Sequence, residues 1–128
     1  MNILLDSHAF LWFVADDLKL SIDARTAIED STNRKWISIA SLWEITIKVS
    51  IGKLNLADPV SEFLSREILC NKFSTLNGTM DHLAKLSVLP FNHRDPFDRL
   101  IVSQALQESF PVVSTDASLD AYGIDRIW

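Results

Sequence analysis

The chain has 128 residues, 48% of them hydrophobic, a formal net charge of -5 and a single cysteine, Cys70. Such a length and apolar content suit one domain over residues 1–128 with its own core, while one cysteine excludes an internal disulfide and the cysteine-rich zinc clusters and suits a reducing cytoplasm. The acidic balance excludes nucleic-acid binding through a broad basic surface, since that affinity comes from lysine and arginine neutralising phosphates, although bound divalent cations would reverse the sign locally.

In chain order, residues 2–5 are an apolar run ending at Asp6 and read as a buried strand. The longer apolar stretch 3–14 is interrupted by Asp6 and His8, lacks a basic leader and ends at Asp16 and Asp17. It therefore reads as a strand followed by a helix beginning at His8, not as a signal peptide or a membrane span. Ser21 is placed to cap a helix over 21–30. Residues 35–39, β-branched and aromatic, predict a second strand.

The stretch 36–54 carries conflicting signals. Ile37, Ile39, Ile45, Ile47, Val49 and Ile51 alternate with polar residues, which favours strand. Ser41 with Glu44 three residues on has the form of a capping box, Glu44 and Lys48 form an i,i+4 pair, and Gly52 suits a left-handed stop. The expected outcome is a strand to Ile39 and a helix over 42–51. Asp58 and Pro59 open a helix running to about residue 69, residues 72–76 form a weaker strand, and 79–86 form another helix. Asp95 and Pro96 open a helix through Glu108. Residues 111–114 repeat the style of the first strand, and 125–128 add a short edge strand. Strands alternating with helices predict an α/β three-layer sandwich with a parallel, Rossmann-like sheet of four to five strands.

Asp6, Glu44, Asp98 and Asp116 each lie where a predicted strand has just ended or a predicted helix has just begun. In a parallel α/β sheet such positions converge on the carboxyl edge, where ligands bind. A pocket of carboxylates suits Mg²⁺ or Mn²⁺, because hard cations prefer oxygen donors. Each acid also has a structural explanation: Asp6 as a helix cap, Glu44 as a capping-box partner, Asp98 as a first-turn acid favoured by the helix dipole. Asp116 follows the strand at 112–115 and repeats the arrangement of Asp6. Asp120 lies a helical turn further on, facing solvent or capping locally. Four adjacent carboxylates would raise one another's pKa unless a cation neutralised them. With such a cation the site would hydrolyse a phosphodiester to 5′-phosphate and 3′-hydroxyl ends.

His8 and His93 read as hydrogen-bonded structural residues without a catalytic role. Lys48, Lys53, Arg94 and Arg99 lie near the proposed edge, and Arg99 is the first choice for a phosphate contact. Ser7 and Ser114 are further candidates for binding substrate. Four tryptophans, Trp12, Trp36, Trp43 and Trp128, together with helices at 10–13 and 42–51 that are apolar almost all round, offer more apolar surface than one core needs, so a homodimer or a protein partner is expected to cover the excess.

The segments LLDSHAFLW, ISIASLWEITIKVSIGKL, LPFNHRDPFDRLIVSQAL and VSTDASLDAY, taken in order, resemble the VapC-type toxins of the PIN-domain family over nearly the full length. That resemblance implies a Mg²⁺-dependent endoribonuclease that cuts RNA to arrest translation, frequent dimerisation and inhibition by a cognate antitoxin. Carried over position by position, the family's acidic quartet falls on Asp6, Glu44, Asp98 and Asp116, and Asp95 looks structural. The family commonly has Thr after its first Asp; Ser7 keeps the hydroxyl and loses the methyl. By analogy of size and architecture a phosphoacceptor receiver domain is the main rival. It would need an acid ending its central strand and a lysine ending a later one, and neither 73–77 nor 113–115 supplies them. An inactive module that keeps the fold and only captures a partner is the third reading.

Overall fold

Residues 3–5 and 112–113 are fully buried apolar residues at successive positions, so both faces of the central sheet must be covered, and helices on both sides do so. The computed structural model describes all residues, Met1–Trp128. Its sheet has five parallel strands in the order β3-β2-β1-β4-β5. These are β1 (Asn2–Leu5), β2 (Arg34–Ser38), β3 (Ser74–Leu76), β4 (Val112–Val113) and β5 (Arg126–Ile127). Helices α1 (Ser7–Val14), α2 (Ile22–Glu29), α3 (Ile39–Ser50), α4 (Val60–Cys70), α5 (Met80–Ser87) and α6 (Pro96–Glu108) make the crossovers, and a 3₁₀ helix (Ala117–Tyr122) joins β4 to β5.

Alternation along β1 divides the core. Ile3 and Leu5 join Ile37 and Val113 on one face, packed against Ala9 and Phe10 of α1, Ala24 and Ile28 of α2 and Leu64 of α4. Leu4 joins Leu76 and Val112 on the other, packed against Ile101 and Ala105 of α6. The strand order reverses between β1 and β4. That reversal is the switch point at which crevices open beyond the carboxyl ends of parallel strands.

Local chemistry accounts for most element boundaries. Ser21 caps α2 by accepting the N–H of Ala24, and Thr79 caps α5 with His82 closing the box. Gly52, two residues past α3, has φ 75°, a conformation that glycine adopts without the Cβ penalty. The start of α3 differs from expectation. Ser38, not Ser41, is its cap, accepting the N–H of Ala40 at 3.0 Å, so β2 ends one residue early and the helix starts three residues before Leu42. Ser41 becomes a fully buried first-turn residue whose hydroxyl has no partner. The 3₁₀ helix carries little apolar periodicity and was not expected.

Much of the surplus apolar surface on α1 is internal. Phe10 is fully buried, Trp12 lies 5.8 Å from Trp128, and Phe13 meets Phe73 edge-on. On α3, by contrast, Trp43 is 60% and Ile39 40% exposed. No helix is long and apolar enough to cross a membrane.

Candidate active site

Asp6 stands immediately beyond β1 and is 6% exposed. Its Oδ1 accepts the N–H of Ala9 at 2.8 Å, so the capping role is real. Burial raises the Asp6 carboxyl above the ordinary carboxylate range, against hydrogen bonding from Ser114 and Ala9 and the pull of His8, with Glu44 adding to the rise.

Glu44 reaches the same region because α3 starts at Ile39. In the register set by Ser38 it lies in the second turn, free of any capping box, with Oε1 accepting the Ser7 hydroxyl and Oε2 lying 3.3 Å from Lys48 Nζ. Ser7 is thus spent on Glu44 and is 6% exposed. Removing its hydroxyl leaves a buried carboxylate oxygen short of a donor. Ser7→Ala is expected to reduce any turnover at this site about tenfold, the scale seen when a supporting hydrogen bond behind a metal site is lost. Steady-state cleavage assays on folded protein check this.

Asp98 lies in the first turn of α6. That turn is built by Asp95, whose Oδ1 accepts the N–H groups of Phe97 and Asp98, and by Pro96 at the first helical position. Burial pushes the Asp98 carboxyl up to about 7; Asp95, Glu44 and Asp6 push the same way and His93 opposes them. Asp116 follows β4 and caps the 3₁₀ helix: Oδ1 accepts from the Ser118 N–H and hydroxyl at 3.0 and 2.6 Å. Burial would raise its carboxyl, but the Ser118 bonds and His93 outweigh that, and it sits below the ordinary range. Ser114 accepts the N–H of Asp116 and so fixes the turn between them.

These influences place the four acids in one region, though not at one spacing. His93, Asp98 and Asp116 offer donor atoms all within 4.8 Å of one another. Asp6 and Glu44 are more deeply buried and lie outside that tight group. Carboxylate oxygens from Asp6, Glu44, Asp98 and Asp116 could hold a hard divalent cation. The donor set fits one: Asp98 and Asp116 bring carboxylate oxygens within 4.8 Å of each other, and oxygen donors suit a hard cation.

Arg99 requires a correction. It is 6% exposed, donates to the carbonyl oxygens of Pro90 at 2.8 Å and Leu89 at 3.1 Å, and stacks on Phe91 at 4.0 Å. Its bonds to the loop before α6 and to the Tyr122 hydroxyl turn the fork into the protein, away from a phosphate. Asp120 pairs with Arg126 at 2.8 and 3.2 Å, and Arg126 also donates to the Ser114 carbonyl oxygen, so this pair borders Asp116. Arg94 and Lys53 are exposed, and His8 is exposed and stacked on Trp12. His93, read as purely structural, lies among the acids instead. The signal available was its place two residues before the Asp95 cap.

A model of the PIN domain matches residues 3–124. The chain belongs to the PIN domain family. Ribonuclease VapC22 of Mycobacterium tuberculosis (strain ATCC 25618 / H37Rv) is 30% identical over 122 residues, 94% of this chain and 92% of that protein. Among solved structures, VapBC2 from Rickettsia felis, bound to a DNA fragment from their promoter, superposes with TM-score 0.73 at 14% identity over 100% of both chains. DNA-bound VapBC from Salmonella typhimurium gives 0.71 at 12% identity, covering 98% of this chain and 96% of that one. At such identities these two structures speak for the PIN fold alone. The five-stranded parallel sheet and its acid-bearing carboxyl edge are accordingly the architecture of a PIN domain.

Proposed function

We propose that this PIN-domain chain is a Mg²⁺-dependent endoribonuclease toxin of the VapC type, which cuts RNA in the cytoplasm, inhibits translation and is neutralised by a cognate antitoxin. The observation that carries the reading is the meeting of Asp98 and Asp116 at the sheet's switch point, with donor atoms from both and from His93 all within 4.8 Å of one another. A relative that is 30% identical and named a ribonuclease supports the choice of substrate.

A divalent ion, Mg²⁺ or Mn²⁺, supplies Lewis-acid chemistry when bound: it offsets phosphate charge and makes water a better nucleophile. Everything else falls to the chain. Asp6, Glu44, Asp98 and Asp116 are the residues that would hold the ion, and its charge would offset theirs where a phosphodiester approaches this acidic edge. Ser7 and the Lys48 ammonium keep Glu44 in place, and Ser114 shapes the turn that presents Asp116. The products are 5′-phosphate and 3′-hydroxyl ends.

Two apolar regions support the partners. A groove of about 420 Å³ lined by His8, Leu11, Trp12, Lys48, Leu54 and Phe63 runs towards Glu44 through Lys48 and suits an antitoxin segment. Ile39, Trp43 and Leu100 line a second, separate hollow, which suits a second copy of the chain.

Purified chain and its Asp6→Ala variant, incubated with total RNA and Mg²⁺, test the reading by mapping new 5′-phosphate ends. Discrete cuts made by the parent chain, abolished by chelator and absent from the variant, are expected. Cuts that survive both changes overturn the mechanism. Absence of cutting, with tight capture of the antitoxin encoded alongside, would favour an inactive binding module.

A further inference from the structure

Of the three side chains whose donor atoms lie within 4.8 Å of one another, His93, Asp98 and Asp116, only His93 is not a carboxylate. It is carried by the loop that Arg99 anchors through the carbonyl oxygens of Leu89 and Pro90, and its side chain is 19% exposed. Its Nδ1 accepts the N–H of Asp95 at 3.1 Å. A ring nitrogen that accepts carries no proton, so in the neutral ring the proton is on Nε2. That N–H faces two carboxylates, with Nε2 3.0 Å from Asp116 Oδ2 and 3.5 Å from Asp98 Oδ2.

This pattern decides what the imidazole can do. Ligation through Nε2 needs a bare lone pair there, hence a proton on Nδ1, and a protonated Nδ1 would turn its hydrogen against the Asp95 N–H. The ring as placed is a donor and not a ligand. It donates to Asp116 Oδ2 and stands 3.5 Å from Asp98 Oδ2, in the space between the two carboxylates through which they would share an ion. Resting on the reading of those two acids as metal ligands, we propose that His93 is an internal competitor of the divalent cation: its Nε2–H is committed to Asp116 beside Asp98, and the ring must give up that position for the ion to bind both.

Two consequences follow from the same contacts. The contact links the loop before α6 to the turn after β4 by a hydrogen bond, so the edge keeps its shape while its acids lack a cation. It also sets the threshold ion concentration, because binding has to displace a charge-assisted hydrogen bond. Loss of that bond is worth roughly a tenfold gain in ion affinity.

Titration of the full chain with Mn²⁺, with free ion counted by electron paramagnetic resonance, tests this on the parent, His93→Asn and His93→Ala. The asparagine is the deciding variant. Its carbonyl can accept the Asp95 N–H two residues on, as asparagine does in turns, while its shorter side chain withdraws the donor from the carboxylates. Thermal melts establish that it is folded, so a failure of His93→Ala to fold does not affect the outcome. Mn²⁺ binding about tenfold tighter in His93→Asn is expected. Unchanged or weaker binding overturns the competition, making the ring a bystander or a ligand, and leaves the endoribonuclease reading standing. If the parent binds no Mn²⁺ at millimolar concentration and releases no 5′-phosphate ends, both fall together.

Discussion

Asp98→Asn is expected to lower RNA cleavage at least about a hundredfold and, without divalent ion at pH 8, to make the fold more stable by on the order of 1–2 kcal/mol. The loss of activity follows from replacing an anionic oxygen donor by a neutral amide at the position closest to Asp116 and His93. The gain in stability follows from the opposite sign of the same field. Burial first, then Asp95, Glu44 and Asp6, hold the folded Asp98 carboxyl at about 7 against an ordinary 3.8. Between those values the folded state keeps a proton that the unfolded chain has released. Stability is therefore lost as pH rises from about 4 to about 7, and the deficit is complete above that. The figure is discounted because the side chain is 24% exposed and water screens part of the field. Urea unfolding at pH 5 and pH 8 checks it: the gap between variant and parent should be full at pH 8 and clearly narrower at pH 5. Added Mg²⁺ should stabilise the parent more than the variant, since the ion favours only the state that binds it. A variant equal to the parent in both assays would remove Asp98 from the site.

Arg99→Ala is expected to cost 2–3 kcal/mol, a magnitude of about the size measured for breaking hydrogen bonds to a buried charged group, and to lower the melting temperature by roughly 6–12 °C. The guanidinium satisfies the carbonyl oxygens of Leu89 and Pro90, reaches the Tyr122 hydroxyl at 3.3 Å and lies on Phe91. Truncation strands those acceptors and frees the loop that carries His93. Arg99→Lys should recover little, because one ammonium cannot reproduce the planar fork or the stacking. A residue that met substrate phosphates would instead raise KM and leave the melting temperature alone. Melts of both variants beside the KM of the parent and Arg99→Lys distinguish the two roles.

The difference between Arg99 and Asp98 illustrates what is legible in a sequence. Both lie in the first turn of α6, one residue apart, and both have the charge expected of a nucleic-acid-cleaving edge. Helical rotation turns them to different neighbours, so one faces the acids and the other the loop from Leu89 to Phe91. Neighbours in the chain do not reveal which. Glu44 is a related case. Ser41 and Glu44 have the spacing of a capping box, and that local solution lost to Ser38 because β2 stops pairing with β3 at Ser38↔Leu76. Moving the cap three residues towards the amino end carried Glu44 from the helix mouth into the second turn, where Ser7, from 37 residues earlier, donates to it.

By itself the sequence determined the parallel α/β architecture, the caps at Ser21 and Asp95, the membership in a family matched over residues 3–124, and the candidate acids. Those are local facts, since apolar runs, capping side chains and strand-end acids act within a few residues of themselves. Only the tertiary structure decided that His93 lies between Asp98 and Asp116, that Arg99 is a strut, and that the α1 aromatics face inward while Trp43 does not. Each of these depends on distances between segments far apart in the chain. Such distances come from closing five strands into one sheet, where burial on both faces leaves each side chain a single neighbourhood.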